Sequence, residues 1–310
     1  MKTLKKFTAF ILTVVMMFSL SANVLAAGTE NLPFEDSSFF ETGDYSIHYR
    51  VWEAENEKAK ILMIHGFALS TYCWENLAAA LVENGYTCVM VDLPDFGYSS
   101  RETAETEKQP REDIMYKLIQ SLGGGEWYVA GHSMGGYVAL ALQQKYPDTV
   151  KNVLLYGTSA NEGTPEFLTS IMTNELFISV MGPLMQLMVR MELFVKLFLA
   201  VSLSDNEYAK NYDIAAITAP LSIDGTGAGA LYSFASLTPT DFEALKNSSP
   251  VLFMNGDKDM VITDSTKDKT RDYLPEGSVD YIVEGGGHMF IENRAKETAE
   301  ITLSFLANNP

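Results

Sequence analysis

The chain has 310 residues, with 22 Lys and Arg against 40 Asp and Glu, and a formal net charge of -18. A hydrophobic fraction of 47% with 20% charged residues supplies enough apolar material for a packed core and excludes wholesale disorder. The acidity excludes a nucleic-acid binder, which needs clustered Lys and Arg, and argues against electrostatic docking on anionic lipid. The length suits one large α/β domain or two smaller ones.

Lys2, Lys5 and Lys6 precede an uncharged, apolar stretch over 7–29, with small residues at Ala22, Ala26 and Ala27. Basic start, apolar middle and small-residue end are the three parts of a secretory signal, here 1–26 with cleavage after Ala26 or Ala27. The expected location is secreted or extracytoplasmic. The alternative is a membrane anchor, because an uncleaved 7–29 is long enough to span a bilayer. Only two cysteines exist, Cys73 and Cys88. That count excludes a disulfide scaffold and leaves two buried thiols or one bridge open.

Strands are predicted at 45–52, 60–65, 86–92, 126–131, 151–156, 251–255 and 279–283, and helices at about 72–84, 111–122, 134–146, 264–273 and 292–307. Runs such as Ile61-Leu62-Met63-Ile64 and Cys88-Val89-Met90-Val91 are apolar without alternation, which suits parallel strands covered on both faces. Strand–helix alternation implies an α/β fold: a mostly parallel central sheet with helices on both faces, whose ligands bind beyond the carboxyl ends of the strands. The alternation breaks at 160–245, which reads as helices and is too long for a loop. We expect a helical cap insertion there, between core segments 27–159 and 246–310. Arg190, Glu192 and Lys196 interrupt its most apolar part, which argues against a second membrane span. Met181, Met185 and Met188 share one helical face, as core or as an adaptable lining for a lipophilic ligand. Residues 225–229, Gly-Thr-Gly-Ala-Gly, read as a flexible connector.

The chemistry concentrates at Gly131-His132-Ser133-Met134-Gly135, between a predicted strand and a predicted helix. This is the G-x-S-x-G spacing of a nucleophile elbow in the context it requires. The turn is sharp, so the flanking positions must be nearly free of side chain. Of the four histidines, His48, His65, His132 and His288, only His288 follows Ser133. It sits after Gly285-Gly286-Gly287, beyond a strand end, where an exposed base belongs. The acid is expected after the strand at 251–255. Asp259 is the first choice, Asp257 the second and Glu162 a distant third. The predicted catalytic set is therefore Ser133, Asp259 and His288, with oxyanion donors at the backbone N–H of Met134 and Phe67. That mechanism uses no cofactor, and four scattered His and two Cys offer no metal cluster.

These residues resemble the α/β-hydrolase fold superfamily, in its capped group of serine esterases and lipases. The resemblance runs from about Tyr45 to Phe305 on His65-Gly66-Phe67, 92–99, Gly131–Gly136, Gly256–Asp259 and Gly287-His288. The family's Gly-x-x-Asp turn favours Asp259 as the acid. Asp95 stands where the family usually has glycine. Ser133 disfavours the relatives with an Asp nucleophile, and Phe67-Ala68-Leu69 lacks the run expected of proline iminopeptidases. The expected function is hydrolysis of small-molecule carboxylic esters, lipophilic ones first. The alternatives are carbon–carbon or amide hydrolysis, acyl transfer, or a non-catalytic binder on the same fold.

Overall fold

The computed structural model describes residues 32–310, so the predicted signal lies outside the described residues. Asp36–Pro310 forms one unit. Its eight strands are β1 (Ser37–Thr42), β2 (Tyr45–Trp52), β3 (Ala59–Ile64), β4 (Tyr86–Val91), β5 (Trp127–His132), β6 (Val150–Tyr156), β7 (Leu252–Gly256) and β8 (Val279–Val283). They form one sheet in the order β1-β2-β4-β3-β5-β6-β7-β8. The β1–β2 and β2–β4 pairs are antiparallel, and every other pair is parallel.

The unbroken apolar strands have a direct structural cause. Within β3, Ile61 and Met63 join one core cluster while Leu62 and Ile64 join the other. Successive side chains point to opposite faces, so a strand covered on both must be apolar at every position. One face packs α1 (Glu75–Glu83) through Leu77 and Leu81. The other packs α2 (Arg111–Ser121) and α3 (Met134–Lys145) through Ile114, Leu118, Val138 and Leu142. Cys73 and Cys88 are both buried free thiols.

Between β6 and β7 the described chain is helical: α4 (Glu166–Met172), α5 (Glu175–Arg190), α6 (Glu192–Leu203), α7 (Asn206–Asn211), α8 (Ile214–Leu221), α9 (Thr226–Ala235) and α10 (Phe242–Lys246). Beyond β7 come α11 (Asp264–Arg271), α12 (Phe290–Asn293) and α13 (Ala295–Asn308). No single described helix is long and apolar enough to cross a membrane. Met181 and Met185 pack inward, whereas Met188 is exposed, so the methionine face is only partly core.

The connector predicted at 225–229 is a correction. Gly225, at φ 92, is the N-cap of α9, and Gly227 and Gly229 lie inside that helix. The glycines are there for contact. A Cβ on Gly227 would lie 2.6 Å from the Gln186 nitrogen of α5, and one on Gly229 would lie 2.6 Å from Asp95 Cβ. Asp95 itself is buried at φ 76 and accepts hydrogen bonds from Arg111 Nη2 (2.8 Å), the Glu102 N–H (2.7 Å) and Ser233 Oγ (3.2 Å). Arg111 also reaches Glu102 at 2.5 Å, and Glu102 accepts from Tyr45 at 2.6 Å. The residue that departs from the family pattern thus ties α9 to the sheet-side core. Burial raises its carboxyl pKa, against the opposing charge of Arg111.

Removing this carboxylate strands part of a buried guanidinium, a change that costs roughly 3–5 kcal/mol. Asp95→Ala should therefore lower the unfolding free energy in urea by about 3 kcal/mol. Asp95→Asn, which keeps the acceptor oxygen, should lose less. An unchanged urea midpoint for Asp95→Ala would contradict this account.

Candidate active site

Ser133 occupies the turn between β5 and α3 with φ 50 and ψ -121. Such a backbone costs of order 1–3 kcal/mol for a residue with a side chain, and it survives only where neighbours over-determine it. Here the Ser133 N–H donates to Tyr156 O at 3.0 Å, and the Ser133 carbonyl accepts from Gly136 N (2.9 Å) and Thr158 Oγ1 (2.7 Å). The two glycines of the motif are steric necessities. A Cβ on Gly131 would lie 2.5 Å from the Gly135 carbonyl oxygen, and one on Gly135 would lie 2.6 Å from that of His65. The Ser133 hydroxyl makes no hydrogen bond among the described residues.

His288 is 4% exposed and lies between β8 and α12. Two neighbours hold its loop: Met289 N donates to Ser202 O of α6 at 2.8 Å, and Lys258 N donates to Gly286 O at 2.9 Å. The imidazole Nδ1 meets Asp259 Oδ2 at 3.1 Å. The other Asp259 oxygen, Oδ1, accepts the N–H groups of Val261 (2.8 Å) and Ile262 (3.1 Å), which fixes the carboxylate's orientation. Burial acts to raise the Asp259 pKa, but the His288 bond, the His288 charge and the two N–H donors outweigh it and hold the pKa low. An ionised Asp259 places the proton of His288 on Nδ1 and leaves Nε2 as an acceptor.

The other two candidate carboxylates have different partners. Asp257 Oδ1 accepts from Gly285 N at 2.7 Å and so caps the turn beside the His288 loop. Glu162 pairs with Lys269 at the surface. His48 and His65 converge on Asp92: His48 Nδ1 meets Asp92 Oδ2 at 2.7 Å, and His65 Nε2 accepts from Leu93 N at 3.0 Å. Asp92 also accepts the Thr71 and Tyr98 N–H groups, so this cluster shapes the loops beyond β3 and β4.

Gly66 sits against the turn, since a Cβ there would lie 2.9 Å from Ser133 Cβ. Its neighbour Phe67 has no hydrogen-bond acceptor for its N–H among the described residues. Met134 opens α3, where first-turn amides lack intrahelical acceptors. No group of three or more His, Cys, Asp or Glu side chains among the described residues is disposed to hold a metal ion.

Two contributors escape sequence reasoning. His132 Nε2 lies 2.9 Å from the His288 carbonyl oxygen, so its N–H braces the His288 loop from beneath. Its place beside Ser133 was the available signal, but no spacing reveals a backbone partner 156 residues away. Lys267 of α11 is buried, with Nζ 4.0 Å from Asp259 Oδ2 and 3.6 Å from Asp264. A lysine on a charged amphipathic helix reads as solvated, so the sequence carried no signal for it.

Burial, joined by the nearby His288 charge, lowers the His132 pKa to about 3, and burial lowers that of His65. Between the folded and unfolded values, the unfolded chain binds protons that the folded chain excludes. Stability therefore rises with pH through that window, is complete above about 6.5, and falls as pH drops toward 3. The depressed carboxyls of Asp92 and Asp259 act further down, with stability held above their ordinary 3.8 and lost below it. Glu292, raised to about 8, acts in the opposite direction over the same range, so the histidine contribution is read by difference: the urea midpoint of the unmodified chain should fall further between pH 7 and pH 5 than that of His132→Gln. The same pH dependence in the unmodified chain and in His132→Gln would contradict the neutral, buried assignment.

The profile of the α/β-hydrolase fold family matches residues 60–295, from β3 past the His288 loop. Lipase 3 of Moraxella sp. (strain TA144) is 27% identical over 259 residues, covering 79% of this chain and 78% of that protein. Lipase 1 of Psychrobacter immobilis is 26% identical over 250 residues, covering 77% and 74%. Among solved structures, the epoxide hydrolase CorEH shares the fold with a TM-score of 0.71 at 20% identity, covering 88% of this chain and 99% of that one. Strand order, elbow and family profile agree: the chain belongs to the α/β-hydrolase fold family.

Proposed function

We propose that this chain is a serine hydrolase that cleaves carboxylic esters through an acyl-enzyme on Ser133. One observation carries the reading: a buried imidazole, His288, oriented by Asp259 at 3.1 Å, in a chain whose Ser133 stands on a strained strand-to-helix turn. Ser133 Oγ attacks the ester carbonyl as His288 Nε2 takes its proton, a hydrogen bond that often tightens only when substrate engages. The tetrahedral oxyanion is held by the N–H groups of Met134 and Phe67, each contributing roughly 3–4 kcal/mol. His288 then protonates the departing alkoxide. Water, deprotonated by the same imidazole, attacks the acyl-enzyme, and Ser133 recovers its proton as the acid leaves. Asp259 stays ionised throughout and stabilises the imidazolium.

The helical insertion favours lipophilic substrates. Leu176, Val180, Leu184 and Leu187 of α5 and Leu193 and Leu197 of α6 are 47–75% exposed. Contiguous apolar surface of this kind marks contact with other apolar matter, here the acyl chain or the surface that presents it. The lipase relatives point the same way. We read the insertion as a cap over the substrate, and the N-terminal segment as an export signal or, failing cleavage, a membrane anchor.

With p-nitrophenyl esters, Ser133→Ala should lower kcat by on the order of 10^6, and a fluorophosphonate should label Ser133. Asp259→Asn should cost about 10^2–10^4, while Asp257→Asn should leave turnover near the unmodified level. Long-chain esters should be preferred over short ones. Full turnover in Ser133→Ala would refute the proposal, and full loss in Asp257→Asn would refute the choice of acid.

A further inference from the structure

A cavity of about 180 Å³ lies among the described residues. It is lined by Tyr72 and Glu75 beside α1, by Tyr208 of α7, by Tyr212 and Asp213 between α7 and α8, and by Glu292 of α12. None of Ser133, Asp259 and His288 lines it. We propose that this cavity binds a small organic cation, an alkylammonium or quaternary ammonium group.

Charge is the first argument. Among the described residues three carboxylates line the cavity, and no Lys or Arg does, so an anionic ligand is disfavoured. Glu75 is already paired, with Arg50 Nη1 at 2.6 Å, and Asp213 accepts from Ala215 N as a helix cap. Glu292 differs. It is 4% exposed, and among the described residues the one hydrogen bond its carboxyl makes is from Tyr212 OH to Oε1 at 3.1 Å. The second oxygen is left to the cavity. A carboxylate removed from water with one neutral partner is far from compensated.

Shape is the second argument. The Tyr72 and Tyr212 rings lie 6.0 Å apart at 76°, and the Tyr208 and Tyr212 rings 6.2 Å apart at 62°. Rings set at angles around a carboxylate suit a bulky, weakly hydrated cation, which gains from both the charge and the ring faces. A metal ion needs a tighter set of ligands, and no such group exists among the described residues. Asn76 braces the wall, donating to Tyr208 OH at 3.0 Å and to the Glu292 carbonyl at 3.3 Å.

Protonation supplies a readout independent of ester turnover. Burial above all, with the charge of Glu75, pushes the Glu292 carboxyl up to about 8, against the Tyr212 bond. The other groups facing it stay neutral in that range, since burial also raises Tyr72, Tyr208, Tyr212 and the Cys73 thiol. The fixed charges nearby are Glu75 with Arg50, and Asp213. A bound cation therefore expels the Glu292 proton, and affinity climbs with pH up to about 8.

Calorimetric titration of the full chain with tetramethylammonium chloride tests this, with sodium chloride as the control at equal ionic strength. The expected result is saturable binding of tetramethylammonium and not of sodium, strengthening about tenfold between pH 6 and pH 7 and levelling off around pH 8. Glu292→Gln, which mimics the neutral acid, should weaken binding at least tenfold and remove its pH dependence. Tyr208→Ala, at the half-buried rim, should weaken it severalfold and serves if Glu292→Gln fails to fold. Ser133→Ala should bind as the unmodified chain does, so loss of turnover leaves the inference untouched. Competition by phosphatidylcholine vesicles would identify a lipid headgroup as the source, and competition by choline alone a free cation; both support the site. No saturable binding, equal binding of sodium, or unchanged affinity in Glu292→Gln would overturn it.

Discussion

The backbone of Ser133 is the constraint on which the site depends. A parallel strand must end and a helix begin almost at once, with that helix stacked on the neighbouring strand. That arrangement also brings the loop beyond β3 against the turn, where a Cβ on Gly66 would lie 2.9 Å from Ser133 Cβ. The left-handed conformation at φ 50 opposes this, and the Tyr156, Gly136 and Thr158 hydrogen bonds hold it in place. The glycines around the turn are needed because backbone, not side chain, fills the space a Cβ would take. His132 extends the constraint outward, since its ring bonds the His288 backbone and so couples the Ser133 turn to the His288 loop.

A chain with an excess of acid must still bury carboxylates, and it handles them in distinct ways. Asp92 is held ionised by His48 and backbone amides, with His65 close by. Asp95 and Glu102 share the buried Arg111, an arrangement that replaces a small residue in the loop with an anchor for α9. Asp259 has two amides behind it, Lys267 beside it and an imidazole in front. Glu292 has a single tyrosine hydroxyl. Compensation is fullest where the role is to hold loops and sparest where the group faces open space, and perturbed groups of the second kind are the candidates for binding.

Much of the sheet was legible because its signal is local. A run such as Ile61–Ile64 can be apolar throughout only if both faces are covered, and β2 and β8 begin and end where the pattern says. The strand β1 was missed because Ser37–Thr42 buries only Ser37 and has just two apolar residues, Phe39 and Phe40; its order comes from pairing with β2. The glycines of 225–229 misled for a related reason. Composition suggested flexibility, whereas their function is close approach of α9 to α5 and to Asp95, which only the packed partners reveal.

The order of Ser133, Asp259 and His288 along the chain, the turn around the serine and the elimination of other histidines were all set by the sequence alone, because each depends on local spacing or on residue type. The brace from His132, the salt-bridged anchor at Asp95, the lysine beside Asp259 and the sparsely partnered Glu292 were decided only in three dimensions. Each joins residues far apart in the chain, and the energy of such a contact depends on how completely water is excluded around it, which no pattern along a sequence encodes.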